Sequence, residues 1–166
     1  KSLAKRSEER NKNDDIVVVA PDTGAANNAR RLGSRLLHYP NLAIINKSRP
    51  KANHVSAMEL VGDVKGKIAL IVDDMTDTCG TLVKAANLLK ENGATKVLAV
   101  ITHGIFSGDA LAKVADSNID RLYISNTIEH KKLPKNIKVV SMADIFAQII
   151  KRVHEGKSIS EVFANK

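Results

Sequence analysis

Short apolar runs separated by segments of helical periodicity are the feature that most narrows what this chain can fold into. Ile16-Val17-Val18-Val19-Ala20 is the first such run, and Leu42-Ala43-Ile44-Ile45 the second. Lys67 to Val72, Lys96 to Thr102, Arg121 to Ser125 and Ile137 to Val140 continue the series. Their length and β-branching are those of strands buried on both faces. Between them, Ala25 to Leu37 carries Ala29, Leu32 and Leu36 at helical spacing, and Leu82 to Leu89 does the same. Asn92-Gly93 is a good end for that second helix, Ser107-Gly108-Asp109 opens a third, and Met142 to Val153 forms the last. Five or six strands alternating with helices predict an α/β fold: an open parallel sheet with right-handed crossovers, flanked by helices.

Two segments break this rhythm. Asn46 to Ser56 is polar, carries Lys47, Arg49, Lys51 and His54, and contains Pro50; it is predicted to be a mobile loop. Residues 1–14 are polar and charged, as expected of a lead-in from something upstream. The expected division is thus a lead-in at 1–15 and one domain at 16–166, large enough to bury a proper core.

Composition limits the class. An apolar share of 43% and a charged share of 27% are those of a soluble globular protein. No run approaches the roughly 20 apolar residues needed to cross a bilayer, and Lys1 to Arg6 holds no apolar signal core. The single cysteine gives no disulfide framework and no metal cluster, so an intracellular, reducing compartment is expected. A net charge of +8 is compatible with nucleic acid, but the basic residues are dispersed and the two tyrosines and three phenylalanines offer few stacking platforms. Anionic small molecules fit this pattern better.

The chemistry concentrates at Asp73-Asp74-Met75-Thr76-Asp77-Thr78-Cys79-Gly80-Thr81. Two carboxylates follow a buried strand, and a short loop rich in hydroxyl and glycine then opens a helix. Open α/β sheets bind their ligands at that end of the strands. The loop can present successive N–H groups to a phosphate, assisted by the helix dipole. The carboxylates can accept from vicinal hydroxyls or ligate a hard cation. One ligand with a phosphate at one end and a polyhydroxyl group at the other, a sugar phosphate, satisfies both halves. The alternative for an Asp–Asp pair alone is a solvated turn.

Other segments at strand ends have a bland and a functional reading. Asp22, in Pro21-Asp22-Thr23-Gly24, could cap the next helix or ligate Mg²⁺ beside a phosphate site. Lys47 and Arg49 could be solvated charges or could close over a transferring phosphoryl group. Ser158 with Glu161 matches a capping box, and Ser158 and Ser160 could equally bind an anion at a helix start. His103 stands at a strand end, where structural and site roles are both open. Cys79 lies where a loop meets a helix N-terminus, a location that tends to lower a thiol pKa.

The acidic loop resembles the phosphoribosyl diphosphate binding motif of type I phosphoribosyltransferase folds. Its flanks resemble ribose-phosphate pyrophosphokinases, in the eukaryotic-type variant of the motif. These flanks are Pro21-Asp22-Thr23-Gly24, Asn46-Lys47-Ser48-Arg49, Leu60-Val61-Gly62-Asp63-Val64, Thr102-His103-Gly104-Ile105-Phe106-Ser107-Gly108, Ser125-Asn126-Thr127-Ile128 and Ser158-Ile159-Ser160. The resemblance covers nearly everything after residue 15 and corresponds to the C-terminal half of a chain twice this length. It implies a type I phosphoribosyltransferase-like sheet and transfer of diphosphate from ATP to C1 of ribose 5-phosphate, with Mg²⁺ as cofactor and AMP as the second product. Asp77, Thr78, Cys79, Gly80 and Thr81 would hold the 5-phosphate, and Asp73 and Asp74 the ribose hydroxyls. Asp22 would ligate Mg²⁺, and Lys47 and Arg49 would stabilise the transferring group. Ser158, Ser160 and Phe163 would belong to a regulatory site for phosphate or ADP. Cytoplasmic dimers building a hexamer are implied, with no nucleic-acid or membrane partner. The other readings are a phosphoribosyltransferase consuming the diphosphate, and a non-catalytic or RNA-binding regulatory subunit. Ala25 replaces a usual glycine, and Asn27 and Asn28 stand where basic residues are usual. A piece of this kind is expected to bind ribose 5-phosphate while turning over little ATP.

Overall fold

Strand β1 (Ile16–Ala20) lies inside the sheet with Val17 to Ala20 at most 1% exposed, which is why its sequence is apolar on both sides of the pleat. The computed structural model describes residues 16–36, 41–48 and 57–164. After β1 come α1 (Ala26–Leu36), β2 (Asn41–Ser48), β3 (Ala57–Val61), β4 (Ile68–Thr76), α2 (Gly80–Glu91), β5 (Lys96–Gly104), α3 (Ala110–Ala115), β6 (Arg121–Ser125), β7 (Ile137–Val140), α4 (Ala143–His154) and α5 (Ser160–Ala164). The strands form one sheet in the order β3-β2-β1-β4-β5-β6-β7. Every pairing is parallel except that of β2 with β3. The expected α/β sheet flanked by helices is what the chain forms.

Alternate residues of the central strands feed two cores. Val17, Val19, Ala69, Ile71, Val97, Ala99 and Ile101 pack with Leu82, Ala86 and Leu89 of α2 and with Val114 of α3. Val18, Ala20, Leu70 and Val72 face the other way, against Ala29 of α1 with Leu32 and Leu36 beside it. Helix α2 ends as its sequence predicts: Gly93 takes φ 87° and donates to the Lys90 carbonyl at 3.0 Å. Asp120 ties the base of the sheet to that helix, accepting from Val97 N–H at 2.7 Å and from Lys90 Nζ at 3.0 Å.

Three expectations need correction. The loop predicted from Asn46 is strand as far as Ser48, and a further strand, β3, makes the sheet seven-stranded. Asn46, Lys47 and Ser48 pair antiparallel with Glu59, Met58 and Ala57. Only alternate residues of β3, Met58 and Leu60, pack on the core, so this edge strand is short of the continuous apolar run that marks the inner strands. Similarly, β4 does not stop at Val72 but carries Asp73 and Asp74 within it to Thr76, because β5 runs alongside as far as Gly104. The capping box expected at Ser158 and Glu161 is not formed either. Ser158 Oγ accepts from Ser160 N–H at 3.3 Å, while Glu161 pairs with Arg152 at 2.8 Å. No helix among the described residues is long and apolar enough to cross a membrane.

Candidate active site

The strand order reverses between β1 and β4: connections from β1 run outward to β2 and β3, and those from β4 run the other way. Splaying loops open a crevice at such a reversal. A cavity of about 290 Å³ occupies it, lined by Pro21 and Asp22 after β1, by Asp73 and the stretch Met75 to Leu82 after and within β4, and by Ile101 of β5. The structure thus brings together Asp22, Asp73, Asp77, Thr78, Cys79, Gly80 and Thr81, as expected. Asp74 is exposed and outside the lining, since neighbouring residues of a strand point to opposite faces. Its N–H donates to Asp73 Oδ1 at 3.0 Å.

The loop turns sharply at Cys79, which takes a left-handed conformation (φ 59°) just before α2. That turn points the thiol inward, 2% exposed, where Thr76 Oγ1 donates to Sγ at 3.4 Å. Val83 N–H to Cys79 C=O, 2.9 Å, closes the first turn of the helix. The N–H groups of Gly80, Thr81 and Leu82 precede that bond and have no partner within the helix. A helix start of this kind, with the Thr78 and Thr81 hydroxyls beside it, suits an anion. A loop meeting a helix N-terminus tends to lower a thiol pKa, but here burial pushes that of Cys79 up, so the thiol is no activated nucleophile. Thiol–disulfide exchange at Cys79 at neutral pH is therefore expected to be slower in the folded chain than in urea, by on the order of a hundredfold. Equal rates measured with a chromogenic disulfide would contradict the inward thiol.

Asp73 is half-buried, and its pKa is raised to about 6, chiefly by burial, with the negative charges of Asp74 and Asp22 adding to the effect and the Asp74 N–H opposing it. Asp22 Oδ1 accepts from Ala25 N–H at 3.0 Å, so it does cap the turn into α1 while its side chain lines the cavity. Ala25 is buried at 7% in the α1 core, so the methyl group that replaces a usual glycine has a place to go. Asn27 and Asn28 are exposed on α1. Among the described residues no three His, Cys, Asp or Glu side chains converge as a metal cluster. The donors present are hard carboxylates, which suits Mg²⁺ held by one or two of them together with ligand phosphates and water.

Other expected residues lie elsewhere. Lys47 has its backbone in the β2–β3 ladder opposite Met58, while its side chain and all of Arg49 lie outside the described residues. Ser158, Ser160 and Phe163 are exposed on and before α5 and do not line the cavity. Met75 and Ile101 are wall residues that the sequence did not flag. Only the alternation within β4 and its pairing with β5 could have found them.

The family model described as "Phosphoribosyl synthetase-associated domain" matches residues 41–164. The chain is 50% identical over 153 residues to ribose-phosphate pyrophosphokinase A of Dictyostelium discoideum, covering 90% of this chain and 47% of that protein. It is 48% identical over 164 residues to the ribose-phosphate pyrophosphokinase of Caldanaerobacter subterraneus, covering 97% of this chain and 51% of that one. It superimposes on the crystal structure of phosphoribosylpyrophosphate synthetase from Mycobacterium smegmatis with a TM-score of 0.79 and 36% identity, over 93% of this chain and 50% of that one. The chain spans about half the length of the curated relatives it matches. With the match running from the second strand to the last helix, and a related crystal structure sharing the overall fold, the chain belongs to the phosphoribosyl synthetase-associated domain family.

Proposed function

We propose that this chain supplies the ribose 5-phosphate site of a ribose-phosphate diphosphokinase, as the C-terminal half of the full enzyme. The observation that carries the reading is that one crevice is lined both by the Asp73 carboxylate within β4 and by the anion-suited loop at the start of α2. Asp77 to Thr81 hold the 5-phosphate, chiefly through backbone N–H groups and the two threonine hydroxyls. Asp73 accepts from a ribose hydroxyl, while Asp74, on the opposite face of β4, contributes through its N–H, which holds Asp73 Oδ1. The C1 oxygen attacks the β-phosphorus of ATP, the bond from that phosphorus to the bridging oxygen of the α-phosphate breaks, AMP leaves, and the hydroxyl proton passes to solvent. Lys47 and Arg49 stabilise the charge on the transferring diphosphoryl group. Asp22 holds Mg²⁺ with ligand oxygens; when bound, the ion offsets phosphate charge.

Phosphate or ADP bound near Ser158, Ser160 and Phe163 regulates the enzyme in this reading, and the full protein is a cytoplasmic homo-oligomer of dimers. The assembly is supported by the apolar residues that α4 and α5 leave uncovered: Phe146 is 50% exposed, Ile150 68%, Val153 65% and Phe163 41%. The substrate class is tested by calorimetric titration of the chain with ribose 5-phosphate, ribose and inorganic phosphate in the presence of Mg²⁺. Ribose 5-phosphate is expected to bind at least about tenfold more tightly than either part, because it alone engages loop and carboxylates together. Inorganic phosphate binding as tightly as ribose 5-phosphate would refute a sugar-phosphate site.

A further inference from the structure

The carboxyl end of β5 carries a histidine to which this reaction assigns no role. His103 pairs with Met75 across the β4–β5 ladder, two residues beyond the pair Asp73–Ile101. Side chains two apart on a strand share a face, as do directly paired residues of neighbouring strands. Asp73, Met75 and Ile101 all line the crevice. His103 therefore stands on the face of Asp73 and Ile101, one rung further toward the carboxyl ends of the strands and level with Met75, beside the residues that line the cavity and not among them.

Its tautomer follows from counting hydroxyl protons. Ser125 Oγ lies 2.6 Å from the Thr102 carbonyl oxygen, which can only accept. Two oxygens that close with no hydrogen between them would repel, so the single Ser125 proton lies there. Thr127 Oγ1 is 2.8 Å from Ser125 Oγ, whose proton is already committed, so the same repulsion places the one Thr127 proton between these two oxygens and not toward the ring; the Thr102 carbonyl, at 3.4 Å, is the more distant acceptor. Toward His103 Nδ1, 2.8 Å away, Thr127 Oγ1 is left as an acceptor. Nδ1 then carries the hydrogen, and in the neutral ring Nε2 keeps its lone pair. Nε2 makes no hydrogen bond among the described residues.

We propose that His103 is a specificity-determining residue of the sugar-phosphate site, its Nε2 accepting a hydrogen from a sugar hydroxyl. This rests on the ribose 5-phosphate reading above. A fixed lone pair repels phosphate oxygens, and Mg²⁺ prefers oxygen donors, so a hydroxyl is the part of such a ligand that matches it. Ser125 and Thr127 act through the ring as positioning residues, holding one tautomer by hydrogen bonds that never reach the ligand.

Nitrogen-15 NMR of the imidazole tests the tautomer in the ligand-free chain. Wild type is expected to show a protonated Nδ1 and an unprotonated Nε2. Thr127→Val should move the hydrogen to Nε2, and Thr127→Ser should keep the wild-type pattern. In titrations, His103→Phe and Thr127→Val should each weaken ribose 5-phosphate by about tenfold, His103→Gln should recover part of the loss, and inorganic phosphate should bind all of them alike. A wild-type ring protonated at Nε2 overturns the proposal, as does His103→Phe binding ribose 5-phosphate as tightly as wild type. If wild type binds no ribose 5-phosphate, the sugar-phosphate reading falls first and this one with it. Wild-type binding that His103→Phe leaves unchanged overturns this proposal alone.

Discussion

Gly62→Ala is expected to destabilise the chain by about 3–5 kcal/mol, the largest single-residue effect foreseen outside the core side chains. Gly62 follows β3 with φ +117°, a conformation that side chains rarely adopt. A Cβ there would lie 2.9 Å from Ala43 Cβ, 3.0 Å from Ala43 Cα and 3.1 Å from the Leu42 carbonyl oxygen. Ala43 is fully buried between β1 and β3, so neither it nor its backbone can give way. The strain of the backbone costs about 1–3 kcal/mol and the overpacking a similar amount. Because the ribbon of β2 and β3 carries Lys47, the lost stability falls on the element that presents the proposed catalytic loop. Urea unfolding measures it, and a variant within about 0.5 kcal/mol of wild type would contradict this close approach.

Asp73→Asn is expected to act in opposite directions on binding and stability. The amide keeps the shape but loses the charged acceptor, so affinity for ribose 5-phosphate should fall about ten- to a hundredfold. The ligand-free chain, measured in a chelator, should meanwhile become more stable at pH 7. A carboxyl whose folded pKa is raised to about 6 from 3.8 binds its proton more readily when folded than when unfolded. Stability from this group is therefore present below about pH 4 and is lost as pH rises through about 6. Since the group is only half-buried, solvent screening reduces the gain from removing its charge to on the order of 1 kcal/mol. Thermal melts between pH 4 and 7 should show a shallower loss of stability for Asp73→Asn than for wild type. Identical pH profiles would mean that Asp73 is more solvated than its place in the crevice implies. Such an opposition is common where a binding site keeps a charge that folding alone would discard.

How much of this was legible in the sequence depended on what held each segment in place. The strands at 16–20 and 121–125 were read with their observed bounds because burial in the sheet demands apolar residues, and that at 137–140 was read with its bounds although only Ile137 is buried. Gly93 marked the end of α2 for a purely local reason, a left-handed residue in the helix cap. Strand β3 and the outer part of β2 depend on each other across a ribbon, and long-range antiparallel pairing leaves little trace in residues such as Asn46, Lys47 and Glu59.

The site divided along the same line. Its loop and the Asp73 carboxylate are contiguous in sequence and could be read, whereas Ile101 joins the crevice wall, and His103 the same strand face, only through the register of β5 on β4. The left-handed turn at Cys79 and the burial of its thiol, which raises the pKa where the location alone would lower it, have no signature in composition. Arg49 lies outside the described residues, so its role rests on the resemblance of its segment alone.

The most direct test of a sugar-phosphate cradle built from the start of α2 is a calorimetric titration of ribose 5-phosphate into wild type and into Thr78→Ala/Thr81→Ala, with Mg²⁺ present. Both threonines are exposed and line the crevice, Thr78 on the loop and Thr81 in the first turn of α2, so the double variant should keep the fold and its melting temperature within a few degrees. The expected result is saturable one-to-one binding by wild type and an affinity at least about tenfold weaker in the variant, the loss of two charge-assisted hydrogen bonds to phosphate. Equal affinities in the two proteins, or no binding by wild type, would contradict the account.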